Sequence, residues 1–316
     1  MEHFRFSVFT ATYNRASFLP RVYKSLLDQT FKDFEWIVVD DGSTDNTEEL
    51  IQSYINHGEL KQITYVKKEN GGKHTAWREA TKIFQGKYVV AIDSDDTLTN
   101  NALEIFNKYW EELENSHDYD KYWEVKGRVQ DENGVLIGPR LPQLTLSSTS
   151  QEMTFKYKVK SEMLGCRKKH VLRNEAKVPE NFLFDSFCSN LGEIIRWSRA
   201  GKRYKTLYFD EIVRTYYFDA PNTLSKSNRL ECNINKTYNS LVTSFYLLSE
   251  NRTEMLKWDL LSYFYNIIVI IYMSFRLNKN PFKLPFENLN FLDFFLMILG
   301  YTPVYLAYLI REKYNN

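Results

Sequence analysis

The sequence predicts an α/β protein: a Rossmann-like, mostly parallel sheet flanked by helices, followed by a helical, aromatic-rich C-terminal extension. Three observations carry this. Over the first hundred residues, short apolar runs alternate with segments of helical period. The polar motifs TATYN, DDGS and DSDD each follow the end of such a run. Beyond about residue 230 the alternation gives way to long helical stretches crowded with Tyr and Phe.

Taken in order, RFSVFTA (5–11) is a β-rich run and a helical pattern covers 17–29. EWIVVD (35–40) is a second strand, and its unbroken apolar run suits burial on both faces. Ser43 or Asp45 is placed to cap a helix ending near residue 56. QITYVK (62–67) is a third strand, a helix spans 73–84, and YVVAI (88–92) is a fourth strand. A β-α-β-α-β-α-β order predicts parallel pairing, and in such sheets ligands sit beyond the carboxyl ends of the strands. From 100 to 215 the pattern changes. A helix at 101–114 precedes a hairpin-like segment, WEVKGRVQDENGVLIG (123–138), with an Asn-Gly turn. A Ser/Thr-rich loop (145–150), a helix at 187–200 stopped by AGKR, and short strands at KTLYF and IVRTYY complete this part. The expected division is 1–100 and 101–228 as two halves of one α/β domain, with 229–316 as a helical region.

The chain has 316 residues and a formal net charge of +1, so no overall field argues for nucleic acid. Cys166, Cys188 and Cys232 are odd in number and in no CxxC pair, which speaks against a disulfide framework and a structural zinc site. MEHFRFSVF has no apolar leader pattern. Together these features predict a reducing, cytoplasmic setting.

AIDSDD (91–96) puts Asp93, Asp95 and Asp96 directly after an apolar strand. Neighbouring carboxylates raise one another's pKa, so the cluster asks for a cation. An Asp-rich turn capping the next helix is the plainer alternative. The other is a hard-cation site, because Mg²⁺ or Mn²⁺ prefers one or two carboxylates plus phosphate oxygens. In VVDDGSTDNT (38–47), Gly42 and Ser43 suit a turn, and Asp41 could accept a hydrogen bond from a base N–H. TATYNR (10–15) could offer the backbone of Ala11 and Thr12 to a base and Arg15 to a phosphate. In KENGGKHTAWREA (68–80), Gly71 and Gly72 allow close backbone approach. Lys73 and His74 then fall at a helix N-terminus, where anions are favoured. The Walker spacing is missing.

These four motifs, in this order over residues 4–100, resemble the inverting glycosyltransferases of family 2, which have the GT-A fold and act in bacterial surface-polysaccharide assembly. The resemblance implies a UDP-sugar donor and Mn²⁺ or Mg²⁺ held by the DxD carboxylates. It places Asp41 at the base and Asp93 on the ribose side. Asp95 is the metal ligand, with Asp96 sharing that duty. Tyr13, Asn70, Lys73 and Ser94 make further donor contacts beside Ala11, Thr12 and Arg15. Family members carry an acidic base before a helix, often in an ED pair. FLFDSFCSNLGEIIRW (182–197) has no such pair, but Gly-Glu-x-x-x-Trp resembles the base position and points to Glu193, with Asp185 as runner-up. In RTYYFDAPNTLSKS (214–227), Arg214, Ser225 and Lys226 are placed to meet the diphosphate. RKKH (167–170) could meet an acceptor pyrophosphate or be a solvated face.

Two C-terminal stretches, LLSYFYNIIVIIYMSF (260–275) and FLDFFLMILGYTPVYLAYLI (291–310), approach the length of a spanning helix. The second contains Asp293, Gly300 and Pro303 and is expected to break in two. Either they form a helical subdomain or homo-oligomer interface, or they attach the protein to the inner face of the cell membrane. In the second case Arg276, Lys279 and Lys283 would meet anionic lipid. Membrane attachment would suit a lipid-linked glycan acceptor. A nucleotidyltransferase and a catalytically inactive nucleotide-sugar-binding domain are the alternative functions.

Overall fold

The computed structural model describes residues 3–159, 161–174, 191–219, 234–283 and 289–315, with the side chains of 191–196, 234–236, 238, 239 and 312–315 left aside. One sheet organises the first two thirds. Its order is β3-β2-β1-β4-β8-β6-β9-β5, with β7 paired to β9. Strands β1 (Phe4–Thr12), β2 (Phe34–Asp40), β3 (Ile63–Lys67) and β4 (Gly86–Ala91) are mutually parallel. Every residue of β2 is buried, as its unbroken apolar run requires. The intervening helices are α1 (Leu19–Leu27), α2 (Thr47–His57) and α3 (Lys73–Ile83). α1, α2 and α4 (Ala102–Glu114) cover one face around Trp36, Phe106 and Trp110. α3, α5 (Lys169–Asn174) and α6 (Leu191–Arg203) cover the other around Trp77, Phe84 and Trp123. These layers, with the sheet between them, make the GT-A fold.

Beyond β4 the sheet is mixed. β8 (Met163–Lys168) runs antiparallel to β4 and to β6 (Tyr122–Asp131), while β9 (Lys205–Tyr216) runs parallel to β6. Four expectations change here. The Asn-Gly turn forms, but its second arm reduces to one bridge between Gln130 and Leu136; β6 takes β8 and β9 as partners instead. The Ser/Thr-rich loop is a strand, β7 (Thr145–Ser148), because alternate residues Leu146 and Ser148 are buried against β9. KTLYF and IVRTYY are one strand, whose register shifts against β6 absorb the irregularity between them. A two-residue strand, β5 (Thr97–Leu98), follows DSDD and pairs with Thr215 and Arg214 of β9.

The C-terminal region is α7 (Ile234–Trp258), α8 (Leu260–Arg276) and α9 (Phe291–Asn315), packed around Tyr263, Ile270, Ile271 and Met297. α9 continues through Pro303 rather than breaking. The missing N–H costs one helical bond, and the packing of Met297 and Val304 on either side holds the helix together. α7 kinks at Asn251. There Asn251 accepts from Gln151 Nε2 at 3.2 Å, and Gln151 also donates to the Ser198 carbonyl of α6 at 3.0 Å, fastening the helices to the sheet domain.

Candidate active site

The site lies where the carboxyl ends of β1, β2 and β4 converge. β1 ends in TATYN, β2 in DDGS and β4 in AIDSDD, so the parallel register brings the three motifs to one edge. The first two loops are knitted together. Asn14, at a positive φ of 52°, accepts the Thr44 N–H at 2.8 Å, and its own N–H donates to Ser43 Oγ at 2.9 Å. Ser43 therefore does not cap α2. Asp45 does the nearer work, accepting from Thr47 Oγ1 at 2.6 Å and from the Ala16 N–H at 3.1 Å, and these bonds hold its carboxyl below the usual range against burial. Asp40 is turned inward to Tyr65 Oη and the Ser43 N–H.

Asp41 organises the glycine loop. Its carboxylate accepts Lys68 Nζ at 2.6 Å, the Gly71 N–H at 3.0 Å and the Gly72 N–H at 2.6 Å. An ionised carboxylate has about four acceptor positions, so room for a base N–H is narrow. Gly42 must be glycine: its φ is 86° and a Cβ would meet the Asn70 nitrogen at 3.0 Å. Asn70 is exposed beside it, and Tyr13 is 47% exposed at the end of β1. Ala11 is half-buried, Ser94 is buried, and Arg15 lies over the Phe18 ring at 5.7 Å. Thr12 Oγ1 is buried without a partner among the described residues.

The three carboxylates of DSDD have different fates. Asp93 is clamped by Lys73 Nζ at 2.7 Å and by Arg214 Nη2 at 3.2 Å. Burial opposes its charge, but the two cations hold its carboxyl well below the usual range. Asp96 is 1% exposed, is hydrogen-bonded to Arg214, and accepts the Tyr217 N–H at 3.1 Å. Burial pushes it up to about 7 against the pull of Arg214, with Asp93 and Asp95 adding repulsion. Asp95 is half-buried; its carboxylate takes a hydrogen bond from its own backbone N–H and has no ion pair or side-chain donor among the described residues. Burial and the Asp93 charge raise its pKa, with Arg15 pulling the other way. Among the described residues no three His, Cys, Asp or Glu gather into a metal-binding group. The trio is thus one open carboxylate, Asp95, in front of two that the protein has already neutralised.

Arg214 is turned inward onto Asp93 and Asp96. It is 6% exposed, and its guanidinium also reaches Glu162 at 3.2 Å. The β5–β9 pairing places it there, opposite Leu98. Sequence reasoning missed Glu162, and also the clasp in which Arg21 of α1 pairs with Asp219 at 2.8 Å and lies 4.1 Å over Tyr217. No local motif announces either, because both depend on contacts far apart in the chain. RKKH is neither solvated nor phosphate-facing at its first three positions. Arg167 pairs with Glu124 at 2.7 Å, Lys168 donates to the Tyr119 carbonyl at 2.6 Å, and Lys169 is buried. Glu193 falls in α6, but its side chain and the whole of Asp185, Ser225 and Lys226 lie outside the described residues.

Comparison with known proteins fits this geometry. TuaG of Bacillus subtilis, named a candidate teichuronic acid biosynthesis glycosyltransferase, is 38% identical over 98 residues, covering 31% of this chain and 38% of TuaG. The chondroitin synthase of Escherichia coli is 34% identical over 100 residues, covering 31% of this chain and 14% of that protein. The chain therefore spans less than half the length of these curated relatives. Among solved structures, Staphylococcus aureus TarS 1–349 in complex with UDP-GlcNAc superposes with a TM-score of 0.55 at 18% identity, over 94% of this chain and 79% of TarS 1–349, which shows a shared fold. The family model for glycosyl transferase family 2 matches residues 7–156. With the four motifs converging on one sheet edge, residues 7–156 form a family 2 glycosyltransferase domain.

Proposed function

We propose that this protein is an inverting glycosyltransferase. It moves one sugar from a UDP-sugar to a hydroxyl of a growing cell-surface polysaccharide. The observation that carries this is Asp95: a half-buried carboxylate with no ion pair or side-chain donor among the described residues, at the carboxyl end of a parallel sheet, beside a clamped Asp93. A free hard-oxygen ligand next to fixed cations is what a metal-bound diphosphate asks for. Mn²⁺ or Mg²⁺ would be held by Asp95 with donor phosphate oxygens, and when bound it stabilises charge on the departing diphosphate.

The chain's own groups do the rest. Tyr13 offers an exposed ring for a base to stack on, and Asp41 and the backbone of Ala11 and Thr12 form the nearby wall. Asn70 and Ser94 border the donor. Lys73 stands at the N-terminus of α3, within reach of both Asp93 and an arriving phosphate. Asp93 takes the ribose side, and Asp96 supports the turn through Arg214 rather than binding metal. Glu193 is the general base, with Asp185 as the alternative. The base takes the proton of the acceptor hydroxyl, whose oxygen bonds to the anomeric carbon from the face opposite UDP. UDP leaves with the electron pair of the broken C–O bond. Residues 1–100 bind the donor, 101–228 receive the acceptor, and 229–316 bring the enzyme to the inner face of the cell membrane, where a lipid-linked glycan is presented.

The test is nucleotide release from a panel of UDP- and other nucleotide-sugars, with Mn²⁺ and then with EDTA. Release from one UDP-sugar, lost on chelation, is the expected result. UDP binding without release from any donor would instead mark a binding domain, and absence of both would overturn the assignment.

A further inference from the structure

The C-terminal helices carry a surface that sugar transfer does not use. α8 and α9 lie side by side and point the same way. Tyr263 donates to Asp293 at 2.7 Å near their starts, and Phe275 meets Tyr305 at 5.1 Å near their ends. Their facing sides are buried, yet their outer sides are apolar too. Leu261 is 80% exposed, Tyr265 65%, Phe291 85%, Ile298 62%, Leu299 58% and Ile310 59%. The α9 positions recur at helical spacing, so they form one stripe. Between Phe291 and Ile310 the only charged residue is Asp293. It is fully buried and turned inward to Arg252 of α7 and to Tyr263. The outer stripe therefore carries no charge over about 30 Å of helix.

One end of this stripe is cationic. Arg311 lies 5.9 Å over Tyr272 at the end of the helix pair, Arg276 is the last residue of α8, and Lys279 comes shortly after it. Both helix starts are closed by side chains. Asp259 accepts the Ser262 N–H at 3.3 Å, and Asn290 accepts the Asp293 N–H at 2.9 Å. Helix ends near lipid need such partners, because little water is there to supply them.

We propose that the outer stripe of α8 and α9 is a monotopic docking surface for an anionic lipid leaflet. It lies in the plane of the interface, with Arg276, Lys279 and Arg311 at the headgroups. This deepens the peripheral-membrane reading above and rests on it. A leaflet supplies acyl chains for the stripe and phosphates for its cationic end at once. A second copy would bring the same cations to meet these. α9 is long and apolar enough to cross a membrane, and little of it is buried in the protein. Spanning would require it to leave α8, breaking the Asp293 network that ties it to α7 and α8.

The test is co-sedimentation of the full chain with phosphatidylcholine vesicles, with and without phosphatidylglycerol. The protein should partition to the anionic vesicles and be released by alkaline carbonate. Phe291→Asp and Leu299→Asp should each weaken partitioning by about tenfold or more. Arg311→Glu should weaken it about fivefold on anionic vesicles only. Nucleotide release by the same samples, with soluble acceptor, should be unchanged; this reads the transferase assignment separately and shows that the variants are folded. Equal partitioning of Phe291→Asp and wild type, or no partitioning by a wild type that turns over donor, would overturn the proposal. So would retention after carbonate, which would mark a spanning helix, or a dimer that Phe291→Asp separates, which would give the stripe to a second copy.

Discussion

The two ends of the sheet handle buried acids in opposite ways. At the amino end, Glu114 accepts Arg5 at 2.8 and 3.0 Å, Lys87 Nζ at 2.6 Å and Tyr88 Oη at 2.6 Å. Nearby, Glu35 accepts Ser7 Oγ at 2.5 Å and the Gln85 N–H at 2.6 Å. Every one of these contacts is made within the chain. At the carboxyl end, Asp93 and Asp96 are answered by Lys73 and Arg214, and Asp95 is left open. The same residue types thus serve stability at one end and, in the function proposed above, take a ligand at the other. An acid with all its donors in place is structural. An acid with no ion pair or side-chain donor among the described residues is the one proposed to take a ligand from outside.

Mutations that separate these two roles sharpen the contrast. The largest effect is expected for the base: Glu193→Gln should keep donor affinity and lose about 10²–10⁴-fold in transfer, read by initial rates. If Asp185→Asn shows that loss and Glu193→Gln does not, Asp185 is the base. Asp95→Asn should lower transfer by at least about 100-fold, while Tm moves by no more than about 2 °C, because no described contact is removed. Arg214→Met, unlike Asp95→Asn, should lower stability as well as transfer, because Arg214 clamps Asp93 and Asp96. It leaves Asp93 and Asp96 without their guanidinium, a loss of about 3–5 kcal/mol, and should lower Tm by roughly 10 °C in a thermal melt.

The smallest effect concerns acid. Burial alone would raise the Glu114 carboxyl, but its Arg5, Lys87 and Tyr88 donors hold it at about 2. Its stabilisation is present above the unfolded value near 4.5 and is lost as pH falls from there through about 2. Denaturant melts between pH 5 and 2 should therefore show Glu114→Gln losing about 3 kcal/mol less than wild type. Transfer at neutral pH should be the same in both.

Much of the first half of the fold was legible in the sequence because it is local. Each parallel strand is a short apolar run, and each motif follows its strand within a few residues. The second half was harder because its pairing is long-range. Nothing near Arg214 signals that β5 will hold it against Asp93, and nothing near Glu162 or Asp219 signals its arginine. RKKH reads as charge, yet Trp197 and Tyr119 cover its first two cations with rings. Pro303 reads as a break, yet packing on α8 carries the helix through it. The distinct fates of Asp93, Asp95 and Asp96 depend on which cations arrive from 20 and about 120 residues away, and spacing alone cannot assign those.

The most direct test of the open carboxylate is calorimetric titration of UDP into wild type and Asp95→Asn, each with Mn²⁺ and with EDTA. Wild type should bind more tightly with Mn²⁺, and Asp95→Asn should lose that gain while melting at the wild-type temperature. Equal, metal-dependent UDP affinity in both proteins would contradict the assignment of Asp95 as the metal ligand.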